Sequence, residues 1–330
     1  MNYEESKTIL EEINKAKRIL INCHKDPDPD SIGSALAIYS VLQKMGISAD
    51  VVCTGSELYE SVNYLSGYDN IQKGVDFKNF NWTDYDLFIS PDTSTFDRAV
   101  GDKNILQFPI NTIVIDHHKT NTRFGNINIV DEKKTSVGEL LFDIFEDWNI
   151  GINKDTADCL MVAIVGDTGA FRYPDSTSHT FYVAQKLMEL GADKDKAIFN
   201  IYRSDDFNLL KFLGEVLSGL TMDIQRKYVW SAIPYEVFEK CGKPPTGKET
   251  AASAFTQTVK DTEFGFVAVE DETNHLGISF RSRTGFDTSK IASDLGGGGH
   301  IYASGASIND MEFDEAVKLL ISTVNKHCGS

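Results

Sequence analysis

Two hydrophobic rhythms run through the first half of the chain. Apolar residues recurring every three or four positions predict helices over 4–17, 31–45, 135–148, 154–166 and 177–190, with a short helical stretch near 57–66. Compact apolar runs predict strands over 18–23, 48–53, 85–90 and 111–116. Strands alternating with helices point to a parallel sheet closed by crossovers. From 193 to about 222 the pattern stays helical, with Ile198, Tyr202, Leu209, Phe212, Leu213 and Leu217 as its apolar stripe. The second half then changes character: strands at 228–234, 263–270 and 276–281 mix with helices near 250–259, 287–294 and 312–326. The expected fold is α/β, with a parallel-sheet domain over 1–192, a helical connector over 193–224 and a smaller mixed-sheet domain over 225–330. The active-site cleft is expected between the two domains.

Composition narrows the class. A chain of 330 residues exceeds what one core usually serves, which agrees with two domains. No stretch approaches the ~20 apolar residues of a membrane span, and the start, Met1-Asn-Tyr-Glu-Glu5, has no basic and apolar signal region. A cytoplasmic protein without membrane partners is the expectation. The five cysteines are scattered and odd in number, which suggests neither a disulfide framework nor a zinc site. The net charge of −17 carries most weight. Proteins that hold long duplexes draw affinity from many Lys and Arg contacts to phosphate. With no basic run here, long duplex nucleic acid is disfavoured and small phosphorylated substrates remain.

The predicted strands end in chemistry. Asp116-His117-His118 follows Asn111-Thr-Ile-Val-Ile; His24-Lys-Asp-Pro-Asp28-Pro-Asp30 follows the run ending at Cys23; Asp92 follows Ser90-Pro91; and Asp167 lies in Gly166-Asp-Thr-Gly. Residues just past the strand ends of a parallel sheet gather in one crevice, so four segments can deliver ligands to one place. Singly, each reads as easily as a turn or a strand-end acid. His24, Asp28 and Asp30, crowded within seven residues stiffened by Pro27 and Pro29, exceed what a turn needs. Ser31 is the expected N-cap of the helix that follows. Carboxylates with a pair of imidazoles suit Mn²⁺ better than Ca²⁺.

These four segments, in this order, resemble the motifs of the DHH phosphoesterase superfamily. Toward the other end, Gly277-Ile-Ser-Phe-Arg281-Ser282 and Leu295-Gly-Gly-Gly-Gly299-His300-Ile-Tyr-Ala303-Ser-Gly305 resemble its DHH-associated C-terminal domain. The tandem is similar to the oligoribonuclease (nanoRNase) and pAp phosphatase subfamily. The resemblance implies hydrolysis of short RNA oligonucleotides and linear dinucleotides such as pApA to mononucleotides, and of pAp to AMP. It implies two divalent ions, Mn²⁺ first, with Mg²⁺ or Co²⁺ as alternatives. His24, Asp28 and Asp92 would hold one, and Asp30, Asp92, His117 and Asp167 the other. Two ions about 3.5–4 Å apart can activate a shared water and offset transition-state charge.

Around them, Asp116 is expected to orient an imidazole and His118 to face the scissile phosphate, with a purely supporting role as its alternative. Arg98 is placed at the substrate or against the metal loop, and Arg172 is equally ambiguous. Arg281, Ser282, Gly297, Gly298, Gly299 and His300 are the expected substrate contacts. One departure stands out: Pro29 occupies a position where the family often has glycine. Other readings are a cyclic-di-AMP or linear-dinucleotide phosphodiesterase and a nucleotide-binding sensor with residual activity; a homodimer is left open.

Overall fold

The computed structural model describes residues 2–102, 105 and 107–328. The chain divides between Ser204 and Asp205 into two compact units.

In unit 1, α1 (Glu4–Lys15) leads into β1 (Arg18–Cys23), α2 (Pro29–Lys44), β2 (Ser48–Cys53), β3 (Leu87–Pro91), α3 (Phe96–Val100), β4 (Asn111–Asp116) and β5 (Ile127–Val130). Helices α4 (Val137–Asp147), α5 (Lys154–Asp167), α6 (Ser178–Glu189) and α7 (Lys194–Tyr202) complete it. The five strands pair in parallel in the order β2-β1-β3-β4-β5. A parallel sheet buries both faces, and alternate residues of β1 divide accordingly. Ile19 and Ile21 join the large aliphatic core with Leu36, Leu140, Phe145, Leu160 and Ile164. Leu20 joins an aromatic cluster of Phe77, Phe88 and Phe108 on the opposite face.

Unit 2 runs through α8 (Phe207–Ser218), β6 (Thr221–Asp223), β7 (Tyr228–Ile233), α9 (Tyr235–Lys240), α10 (Gly247–Ala251), β8 (Phe264–Glu272), β9 (His275–Ser282), α11 (Thr288–Asp294), β10 (Gly298–Gly299), β11 (Ala303–Asn309) and α12 (Phe313–His327). Its strand order is β10-β11-β9-β8-β7-β6. Among the described residues the β7–β8 pair is parallel and the other four pairs are antiparallel, so the sheet is mixed.

Several expected elements are corrected. The helical stretch over 193–222 is two helices: the chain breaks at Arg203–Asp206, and Asp206 caps α8 by accepting from Asn208 N at 2.7 Å. Tyr202 packs on the core of unit 1, whereas Phe212 and Val216 are buried in unit 2. Near 57–66 there is no α-helix but 3₁₀ turns at Glu60–Val62 and Tyr68–Asn70, separated by Gly67 at φ +89°. The helix expected over 250–259 is the short α10 followed by a π-helical turn, Ala252–Thr256. Strand β5 has only a weak apolar run and was not anticipated. Among the described residues, no helix is long and apolar enough to cross a membrane.

Candidate metal centre

Strands β1, β3 and β4 lie side by side and end together, which brings His24, Asp92, Asp116 and His117 to one edge. Helix α2 starts at the same edge. Its N-cap is Asp28 rather than the expected Ser31: Asp28 Oδ1 accepts from Ser31 N at 3.0 Å, and Ser31 Oγ accepts from His24 N at 3.1 Å. Pro29 sits in the first helical turn, where a missing N–H costs nothing because that donor has no intrahelical partner. Asp167 comes from the last residue of α5 and not from a strand end.

Two groups of side chains form around Asp92. His24 Nε2 lies 3.4 Å from Asp92 Oδ2 and 3.8 Å from Asp28 Oδ2. His117 Nε2 lies 3.2 Å from Asp167 Oδ2, 3.7 Å from Asp92 Oδ1 and 3.9 Å from Asp30 Oδ2. Each imidazole is aimed from behind, because Nδ1 faces a backbone carbonyl: that of Lys25 for His24 at 2.8 Å and that of Lys134 for His117 at 3.1 Å. Donation from Nδ1–H leaves the Nε2 lone pair of a neutral ring facing carboxylates, which is repulsive unless a cation stands between them. Asp92 Oδ1 and His117 Nε2 are accordingly buried without a hydrogen-bond partner among the described residues. Oxygen and imidazole donors clustered this way suit a divalent first-row ion, and both groups are close enough for each to hold one.

The electrostatics agree. Burial, together with Asp167, pushes the Asp30 carboxyl up to about 8, and burial with Asp30 raises Asp92 well above its ordinary range. Burial opposes charge on His117, but Asp167, Asp30 and Asp92 outweigh it and raise the imidazole to about 10. Without cations the cluster therefore gathers protons. Asp92 also adopts φ +50°, a left-handed backbone uncommon outside glycine, and such conformations concentrate at functional sites.

Supporting residues complete the centre. Asp30 accepts from Ser34 Oγ and Gly138 N through Oδ1, and from Val137 N through Oδ2. Asp116 orients His118, not His117: its Oδ1 pairs with His118 Nδ1 at 2.8 Å while its Oδ2 accepts from Asn121 Nδ2. The His118 side chain is 45% exposed. Arg98 braces the loop after β1 through its carbonyl, which accepts from Lys25 N at 3.0 Å; its guanidinium makes no ion pair among the described residues. Asn121 and the amides of Val137 and Gly138 were not anticipated. The pattern Ser136-x-x-Glu139 was a visible capping signal, and Ser136 does cap α4.

The substrate residues expected in unit 2 share one end of its sheet. Arg281 pairs in register with Ala303, and Gly299 with Ser304. Arg281 is held by Ser253 Oγ at 3.0 Å and by Ser279 Oγ and the Phe280 carbonyl at 2.9 Å. Ser282 is turned to structure: buried, its Oγ accepts from Gly285 N. Packing on β11 accounts for two of the glycines. A Cβ on Gly297 would lie 2.1 Å from Gly305 O, and one on Gly299 would lie 2.6 Å from Ser304 Cα. Gly298 has open space around it, and His300 is exposed.

Comparison with known proteins places this geometry. The DHH family N-terminal domain matches residues 18–164, and the DHHA1 domain matches residues 242–326. The chain is 27% identical to the bifunctional oligoribonuclease and PAP phosphatase NrnA of Thermus thermophilus, over 98% of this chain and 95% of that one. It is 25% identical to the protein of the same description from Bacillus subtilis, over 94% and 95%. In fold it is similar to an exopolyphosphatase-related protein from Bacteroides fragilis, with a TM-score of 0.84, 24% identity and coverage of 98% and 96%. The ends of β1, β3 and β4, which carry His24, Asp92 and His117, all fall within the first match, and the chain belongs to the metal-dependent DHH phosphoesterases.

Proposed function

We propose that the protein hydrolyses short oligoribonucleotides and linear dinucleotides such as pApA to mononucleotides, and pAp to AMP. The observation that carries this reading is Asp92, one buried carboxylate facing two acid–imidazole groups. His24, Asp28 and Asp92 would hold one ion, and Asp30, Asp92, His117 and Asp167 the other, with Mn²⁺ the ion best suited to the donors. When bound, such a pair lowers the pKa of water and offsets charge on the transferring phosphoryl group. The chain does the rest. Asp116 holds His118 Nδ1, so that Nε2 is left for the scissile phosphate, to which it donates when the ring carries both protons. Arg281, fixed by three protein oxygens, receives a terminal phosphate, and Gly298 with His300 lies against the nucleoside.

Full-length relatives described as oligoribonuclease and PAP phosphatase support the substrate class. The test is turnover with Mn²⁺ across pApA, longer oligoribonucleotides, pAp, cyclic di-AMP and pyrophosphate, with the double variant Asp116→Ala, His117→Ala as control. Mononucleotide release from short RNAs, lost in the control, is expected. Turnover of cyclic di-AMP or pyrophosphate in preference to all of these overturns the substrate assignment. For unit 2, Arg281→Ala and His300→Ala should raise KM for pApA; unchanged KM and kcat in both would remove them from the site.

A further inference from the structure

The loop from Asp131 to Gly138 touches three residues of the centre through its backbone. The Lys134 carbonyl faces His117 Nδ1, the Val137 and Gly138 amides donate to Asp30, and Asp131 N donates to the Asp116 carbonyl at 3.0 Å. Beneath it lies a buried charged network that the hydrolysis does not use. The Glu139 side chain, 1% exposed, accepts from Thr135 Oγ1 at 2.6 Å and Thr180 Oγ1 at 2.9 Å. Lys134 Nζ pairs closely with Asp143 and stands 3.6 Å from Glu139 Oε1, and His179 Nε2 closes the network on Asp143 Oδ1 at 3.0 Å.

Burying two carboxylates is costly unless they are paired, and apolar residues would fill the same space at no such cost. The network ties α4 and α6 to Lys134, whose carbonyl sets the imidazole.

We propose that Lys134, Glu139, Asp143 and His179 form a positioning network for the metal centre. It holds the Lys134 carbonyl where it accepts a hydrogen bond from His117 Nδ1–H, so that His117 Nε2 keeps its lone pair toward Asp30, Asp92 and Asp167. It also holds the two amides that fix Asp30. Both consequences fall on one group of ligands; among the described residues, no hydrogen bond or ion pair joins His24 or Asp28 to the loop. This inference rests on the two-ion reading above.

The experiment is calorimetric titration of the whole protein with Mn²⁺, alongside thermal melting. Asp28→Asn and Asp167→Asn identify which binding step belongs to which group. Lys134→Met is expected to weaken the step shared with Asp167→Asn by about 10–100-fold, the range for outer partners of metal-binding histidines, and to spare the step marked by Asp28→Asn. Asp143→Asn, which keeps an acceptor for Lys134 and is the gentler change should Lys134→Met fail to fold, is expected to weaken the same step by less. Unchanged Mn²⁺ affinity in the folded variants, or equal loss at both steps, would overturn the proposal. A wild-type protein that takes up no Mn²⁺ would instead overturn the two-ion reading on which it rests.

Discussion

Asp92 illustrates how much chemistry one strand-end residue can carry. Its two oxygens face different imidazoles, both at distances too long for a hydrogen bond and suited to an intervening ion. Asp92→Asn keeps the shape and removes the charge. Two-ion catalysis supplies several kcal/mol, so at 1.4 kcal/mol per decade turnover of pApA should drop by about a thousandfold with the fold intact by circular dichroism. Loss of less than about tenfold would remove Asp92 from the shared position. The protons gathered by the metal-free cluster give a second expectation. Asp30 at about 8 and His117 at about 10 both lie above their ordinary values of 3.8 and 6.5. A raised folded-state pKa contributes stability that is complete below the unfolded value and is lost as pH rises through the folded one. The metal-free protein should therefore melt progressively lower between about pH 6 and about pH 9, within the window those two groups define. Mn²⁺ must displace the same protons, so binding should release them, seen as a calorimetric enthalpy that varies with buffer ionisation heat. A melting temperature in chelator that is flat or rising over that range would contradict both.

At the scale of elements, the centre depends on how closely α2 and α5 approach. A Cβ on Gly33 would sit 2.5 Å from the Cys159 carbonyl, and one on Gly166 would sit 2.7 Å from Pro29 Cβ. The second contact joins the neighbours of Asp30 and Asp167, so Pro29, the departure from the family pattern, is a packing partner of the residue before Asp167. Overpacking there costs about 1–3 kcal/mol. Gly166→Ala should lose that much stability in urea unfolding and also weaken the Mn²⁺ step that involves Asp167; stability equal to wild type would show that α5 can retreat freely. Gly298→Ala is the converse, with no atom near its Cβ. Its stability should change by no more than about 0.5 kcal/mol, so an increased KM would report substrate contact, and an unchanged KM would take Gly298 out of the site. These contacts also show what the sequence could convey. Apolar runs ending in Cys23, Ile89 and Ile115 made the strand ends legible, and with them His24, Asp92 and His117. Asp167 directly follows the helix expected over 154–166, and the structure makes it that helix's last residue. Which imidazole Asp116 holds depends on how the backbone turns after β4, and adjacent histidines carry no pattern that decides it. The loop carrying Lys134 was hidden because it acts through a carbonyl and two amides, atoms that every residue possesses. Gly297 and Gly299 are expected substrate contacts, and the close approach of β11 is a second reason for glycine at both positions.

For the whole molecule, a formal charge of −17 coexists with polyanionic substrates. On the proposed reading, ions bound by Asp28, Asp30, Asp92 and Asp167 would offset part of that charge where the phosphate must approach, and Arg281 would add a fixed cation in unit 2. A protein built this way gains nothing from phosphates beyond those few contacts. Affinity for single-stranded nucleic acid falls with log salt by about 0.7 per phosphate neutralised, so two or three contacts give a slope of about −1.4 to −2 in log kcat/KM. The slope should stay the same from dinucleotide to pentanucleotide, because a chain of net charge −17 with no run of Lys and Arg offers added phosphates no basic track. Measuring kcat/KM at fixed Mn²⁺ across a series of KCl concentrations, for oligonucleotides of each length, tests this directly. A slope that steepens with every added nucleotide would reveal a basic track along the protein and would extend the substrate range to long single strands.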